Sequence, residues 1–474
     1  MHDLLSSLQF IEWLPCNTLR YENTPPVRLL MTVIPSGLLN KQSFQQKLKV
    51  LLPEGWEQYL NCAEGRPYYW SSGLGIFTES NITEAHILNR LIKWARILES
   101  LMNQSSGSDY DIVLRVSEDE GDGMGTCHYY LVDHTSKVIF WLREVSTSAL
   151  GLSDVRSPTH LKLLLSEQYW THCEYMPPPH KDFKQEAKEL LATLGTLCID
   201  ASSSTGSVSP FHQDECESYS RALAQVISNG GPTEINWCLA RLQSLLTQSR
   251  IINLHGEHNA RADRNVLVNG QKAPPETIIF MILSFIMFSI PKMYLARWNA
   301  AWVDRVTYTR EWKKLTKDMI EEYTYSLFGS GIMLIASILL WGLSSSLVVR
   351  VLAAIAMMSS ICGGFYSASL FSTLRSQGAC AADAANFIQM NEHITTGLQG
   401  MALKHSVPWA LIMWSGLCLF ISGFWEIFRD MIEVSSPDIR VSGKDMIVPA
   451  LVIMTYLYGR GYFSFSRLFA AHHR

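Results

Sequence analysis

Few residues in this chain have the type and spacing to do chemistry. His255, Gly256, Glu257 and His258, with Asp263 downstream, set two imidazoles three positions apart, and on a helical turn such a pair can share a zinc ion. A metalloprotease helix instead needs its histidines four apart, with the glutamate directly after the first. Gly256 also works against any helix through the tetrad, so no metal is expected there. His172, Cys173 and Glu174 resemble a thiol beside its base, yet no third group that would orient the imidazole can be identified. A lipid-acting enzyme would need acids and histidines at the ends of apolar segments, where only Asp383, Glu392 and His393 stand. The expectation is therefore a protein with no catalytic residues and no cofactor.

The elements that would position any site divide the chain into a polar front and an apolar rear. Segments 325–343, 347–371 and 407–428, with a shorter one at 446–462, approach or exceed the roughly 20 apolar residues that a helix needs to cross about 30 Å of hydrocarbon. Segment 277–290 is shorter and closed by Pro291, and it reads as a helix lying in the interface or buried, with an incomplete fifth span as the alternative. Arg297, Arg305, Arg310, Lys313, Lys314 and Lys317 precede the first span, Arg375 and Lys404 separate the second and third, and Arg460, Arg467 and Arg474 follow the fourth. With four spans these sets share one side, which places both termini in the cytosol. The ten cysteines are scattered singly, as expected for reduced thiols. A net charge of −4 excludes a nucleic-acid binder, which needs a basic face.

In the second span Ala356, Ser360, Gly364 and Ala368 recur every four residues, with Ser359, Gly363 and Ser367 alongside, a spacing of small side chains that lets helices approach closely in lipid. Whether another span or a second copy of the chain lies against them stays open. Arg350 near the span's end reaches the interface. In the front, helical spacing marks a helix after Asn81 and others near 159–176, 184–197, 216–228 and 233–246. Three prolines, Pro177, Pro178 and Pro179, stop the first of the later four. Segment 201–210, nearly all Ser, Thr and Gly, reads as a flexible loop.

Two turn-rich stretches carry a family resemblance. Leu52, Pro53, Glu54, Gly55, Trp56 and Glu57, then Gly65, Arg66, Pro67, Tyr68 and Tyr69, resemble the first two strands of a WW domain. The resemblance implies a structural role for Trp56, packed with Pro53 and the tyrosines. The family's ligand-binding tryptophan would fall at Thr78 or Glu79, so this groove is incomplete. Val132 to Trp141 resemble the second and third WW strands, with Tyr130, His134 and Trp141 at the ligand-binding positions, and here the structural tryptophan is missing. Two half-complete repeats with a helix between them, together with YYLVDHTSKVIFWL, EQYWTHCEY, INLHGEHNARADRNV, REWKKL and LKHSVPWALIMWSG, resemble the basidiomycete fungal family of WW-domain-containing predicted multi-pass membrane proteins.

The expected architecture is α+β with WW-like antiparallel hairpins plus helices, followed by an all-α transmembrane region. Its parts are an N-terminal segment (1–45), a first WW-like hairpin (46–82), a connecting helix (83–108), a second hairpin (109–146), a helical region (147–324) and the spans (325–474). The resemblance implies a membrane-anchored, non-enzymatic interaction or scaffold protein that binds a proline-rich or extended peptide at Tyr130, His134 and Trp141, where aromatic faces clamp a polyproline II strand. The lipid bilayer is its other partner, and nucleic acid is not one. The alternatives are a small oligomeric channel gated by the front half and a lipid-acting membrane enzyme.

Overall fold

The structure, a computed structural model, describes residues 10–17, 52–102, 109–116, 125–204, 206–268, 273–378 and 381–435. The chain divides into two compact units, Met1–Asp263 and Arg264–Arg474.

Glycine turns break the front unit's first β text into β2 (Trp56–Leu60), β3 (Pro67–Ser71) and β4 (Ile76–Thr78), which follow β1 (Phe10–Glu12). Gly65 and Gly75, in the two turns, hold φ at +69° and +61°, a region other residues enter at a cost. Beyond helix α1 (Ala85–Met102), the chain lays down β5 (Tyr110–Val116), β6 (Cys127–Asp133) and β7 (Val138–Phe140). Each set of three strands is an antiparallel meander. They are not separate modules, because β4 and β5 pair in parallel and so join the meanders into one mixed sheet of order β1-β6-β5-β4-β3-β2, with β7 on β6. Parallel neighbours need a long crossover, and α1 supplies it.

Both faces of this sheet are covered, so its central strands read as nearly continuous buried text. Tyr69, Ile76, Ile112, Tyr129 and Leu131 pack with Trp56 and the α1 face made by Ile87, Leu91, Trp94 and Leu98. Alternate residues Tyr68, Phe77, Val113, Tyr130 and Val132 enter a second core with α2 (Pro158–Tyr175), α3 (Lys184–Ser203), α4 (Gln213–Asn229) and α5 (Pro232–Ile252). Trp56 is thus a core residue; Pro53 is half-buried, and its carbonyl accepts from the Trp56 amide at 3.2 Å. Segment 201–210 departs from the expected flexible loop. Helix α3 runs through Ser203, and the buried Ser207 and Ser209 bond Asp200 and the Phe211 carbonyl. Serine hydroxyls close local turns of this kind as readily as they populate linkers.

Among its described residues the rear unit holds three helices long and apolar enough to cross a membrane: α8 (Thr309–Leu343), α9 (Leu347–Arg375) and the Gln399–Arg429 portion of α11 (Gln399–Ser435). Before them come α6 (Ile278–Ile286) and α7 (Ile290–Ala301), and α10 (Ala381–Asn391) lies between α9 and α11. Helix α6 has 9 residues, about 13.5 Å at 1.5 Å per residue, too short for a crossing. The segment expected as a fourth span, 446–462, lies outside the described residues. Arg350 donates from Nε to the Ser344 carbonyl at the end of α8, 2.8 Å away.

The small-residue stripe of α9 differs from the expected one. Ala356 and Ser360 are buried, and Ser415 of α11 bonds both the Ser360 hydroxyl (2.8 Å) and the Ala356 carbonyl (3.0 Å). The inward stripe then continues through Gly363 and Ser367, whereas Gly364 is half-buried and Ala368 exposed. A helix has 3.6 residues per turn, so a strict four-residue repeat drifts off the packed face. A Cβ at Gly363 would meet Ser330 Oγ at 3.3 Å and Leu411 Cβ at 3.4 Å, one on each neighbouring helix. Gly363→Leu is therefore expected to destabilise the rear unit by about 1–3 kcal/mol, read as a lower melting temperature in detergent, with Gly364→Leu the milder of the pair.

Candidate functional site

The front unit's polar side chains converge where the chain leaves α2. That helix begins on Ser157, whose side chain accepts from the His160 amide, and it ends against Pro177 as its prolines require. Its last carbonyls need partners. Asn61, in the β2–β3 turn, donates from Nδ2 to the Glu174 carbonyl (2.8 Å) and the Tyr175 carbonyl (3.1 Å). The Tyr68 hydroxyl donates to the Pro177 carbonyl at 2.7 Å, and Asn236 of α5 donates to those of Pro178 and Lys181, both at 2.9 Å. The chain's own proline run is thereby strapped onto the first meander.

His180 follows that run and lies flat on Trp70 of β3, ring centroids 5.1 Å apart and planes 8° from parallel. Its Nε2 is 3.3 Å from Asp111 Oδ2 of β5, and His134, just past β6, brings its own Nε2 to 2.6 Å from the same oxygen. The other nitrogen of His134 meets the Tyr169 hydroxyl of α2 at 3.2 Å. Burial alone would push the Asp111 carboxyl up, but the hydrogen bonds and charges of the two histidines together outweigh it and hold the group well below the usual carboxylate range. One layer deeper, the His172 ring sits edge-on to Phe77 and bonds the Tyr130 hydroxyl through Nδ1 at 3.0 Å. Burial, followed by the charge of His134, pushes His172 down to about 3. The indole nitrogen of Trp70 and Nε2 of His172 are buried without a hydrogen-bond partner among the described residues.

In front-unit chemistry, the arrangement is a proton-sharing chain, Tyr169–His134–Asp111–His180, open to solvent at its His180 end. Asp111, His134 and His180 are also the one set among the described residues whose donor atoms all lie within 4.8 Å of one another, close enough to hold a metal ion.

Family models, curated proteins and solved structures offer no match to this chain.

The structure brings together only part of the expected ligand site. Tyr130 is 0% exposed and His134 6%, because α2 packs over their side of the sheet. Trp141 is half-buried, and its indole donates to the Trp13 carbonyl at 3.1 Å. None of the three presents an open aromatic clamp. The metal reading of His255 and His258 gains no support, since both are exposed on a turn and His160 and Glu257 serve the start of α2 instead. Sequence reasoning missed Trp70, Asp111 and His180. The adjacency of Pro177–Pro179 to His180 was the one available signal, since a histidine closing a proline run is held in place by it.

Proposed function

We propose that the chain is a membrane-held interaction protein, with no enzymatic step of its own, whose WW-like sheet grips an extended proline-containing segment. The observation that carries this reading is the hold of the first meander on Glu174–His180: the Tyr68 hydroxyl on the Pro177 carbonyl, Asn61 on the two carbonyls before it, and Trp70 stacked on His180. A proline run is stiff before it is bound, so gripping it costs little ordering entropy. In this state the grip is filled by the chain itself. The gripping pair is then Tyr68 and Trp70 rather than Tyr130, His134 and Trp141, which serve the fold.

The rear unit supplies the anchor. With 446–462 as a fourth span, both termini fall on the cytosolic side, where the basic residues before the first span find anionic headgroups. Helix α6, which exposes Ile278, Ile279 and Phe285, lies in the plane of the interface.

A tethered segment acts at an effective concentration in the millimolar range, so an outside peptide must displace it. Asn61→Ala and Asn236→Ala remove four hydrogen bonds that hold the internal segment, which loosens it and leaves Tyr68 and Trp70 in place. In full-length protein in nanodiscs, the double variant is expected to bind proline-rich peptides about tenfold more tightly than wild type, measured by fluorescence anisotropy. Equal affinity in the two, or no saturable binding in either, removes the reading.

A further inference from the structure

We propose that Asp111, His134 and His180 bind a single divalent transition-metal ion of zinc-like preference, which fastens the chain leaving α2 onto the sheet. The three donors come from β5, from the turn after β6 and from the segment past Pro179, so no local sequence spacing forces them together. Folding brings them to one point, where the two imidazoles approach the same carboxylate oxygen at 2.6 and 3.3 Å. Two imidazole nitrogens and one carboxylate are a donor set that suits zinc and its first-row neighbours, and three protein ligands leave a coordination position for water. That position is on the side of His180, whose side chain is 23% exposed while those of His134 and Asp111 are 3% and 7%.

The metal-free cluster is a hydrogen-bonded one, with its three donor atoms all within 4.8 Å of one another. Donors about 2.0–2.2 Å from a tetrahedral ion stand about 3.3 Å from one another. The His180–Asp111 pair already has that separation, and the His134–Asp111 pair must open by about half an ångström or more. Each imidazole offers the ion its Nε2 lone pair by carrying its proton on Nδ1 instead. For His134 that proton then faces the Tyr169 hydroxyl oxygen, which accepts it and fixes the ring's tautomer, as outer partners of metal-bound histidines commonly do. Any proton the cluster holds beyond one per imidazole leaves to solvent. Cys173 is buried nearby in the same core, but it is not in the donor set, which predicts a site without thiolate.

The test uses full-length protein in detergent, stripped with chelator and titrated with Co2+, then with Zn2+. Wild type is expected to show one Co2+ per chain with ligand-field bands of nitrogen–oxygen coordination and to lose them when Zn2+ is added. His180→Gln and Asp111→Asn are each expected to weaken binding by about 100-fold, and Tyr169→Phe by about tenfold. His180 stacks on Trp70 and faces Asp111, so the metal-free melting curve of each variant is taken first, and the loss is read on the shift that Zn2+ adds to that curve: a variant that still melts cooperatively and gains no shift has lost a ligand and not its fold. Absent bands, bands with a sulfur-to-cobalt charge-transfer component, or bands untouched by His180→Gln overturn the proposal. None of these outcomes depends on peptide binding.

Discussion

Phe77→Ala is expected to cost about 3–5 kcal/mol of front-unit stability, the range for deleting a large aromatic ring from a packed core. Phe77 is 0% exposed, and it sits at the middle of a ring cluster: Tyr68 at 6.3 Å, Trp70 at 6.2 Å, His172 at 5.6 Å and His180 at 6.1 Å between centroids. Three of the surrounding rings are tied down, Tyr68 to the Pro177 carbonyl, His172 to Tyr130 and His180 to Asp111, and resist collapse into the hole, which places the cost toward the upper end. The joined sheet makes the loss global, since β4, which carries Phe77, is the strand that connects the meanders. Urea unfolding of the full-length protein followed by tryptophan fluorescence measures it, and Phe77→Leu is expected to recover most of the loss. A cost below about 1 kcal/mol would mean that this strand is not packed as described.

Acid is expected to unfold the metal-free front unit well before the carboxylates of an ordinary surface titrate. His172 is kept neutral by burial, its value pushed down from 6.5 to about 3. Between those two values the unfolded chain binds a proton that the folded one refuses, so stability is whole above pH 6.5 and drains away as pH falls toward 3. Asp111 acts in the same direction lower on the scale: its carboxyl is depressed in the fold, so its contribution is present above the unfolded value and is lost as pH falls through the folded one. For His172 alone the loss is on the order of several kcal/mol by pH 3. His172→Gln keeps an acceptor for Tyr130 and removes the titration, so its melting temperature is expected to stay level from pH 6.5 down to about 4. An equal slope in wild type and variant would assign the acid sensitivity elsewhere.

Much of the scaffold was legible because it follows from local rules. The face of α1 was visible in the three- and four-residue recurrence of Ile87, Leu91, Ala95 and Leu98, the end of α2 in its prolines, and the first meander in its glycine turns. What could not be read was how the meanders meet. The parallel β4–β5 register pairs Ile76 with Ile112, and nothing within either stretch points to the other. The same gap hid the site. Asp111 and His134 lie 23 residues apart and look unremarkable alone, and whether Tyr130 and His134 face solvent depends on α2, which belongs to neither hairpin. In the rear unit the small residues of α9 were recognised and their phase was not, because a four-residue repeat matches a helix for only two turns before it rotates away.

The order in which the chain is made separates the sheet from the apolar helices. Its last strand closes at Phe140, and α8 begins at Thr309. At 5–20 residues per second, a ribosome needs about 8–35 s to make the intervening chain. The strands can therefore assemble while the apolar helices are still untranslated, so the front unit needs none of them to complete its sheet.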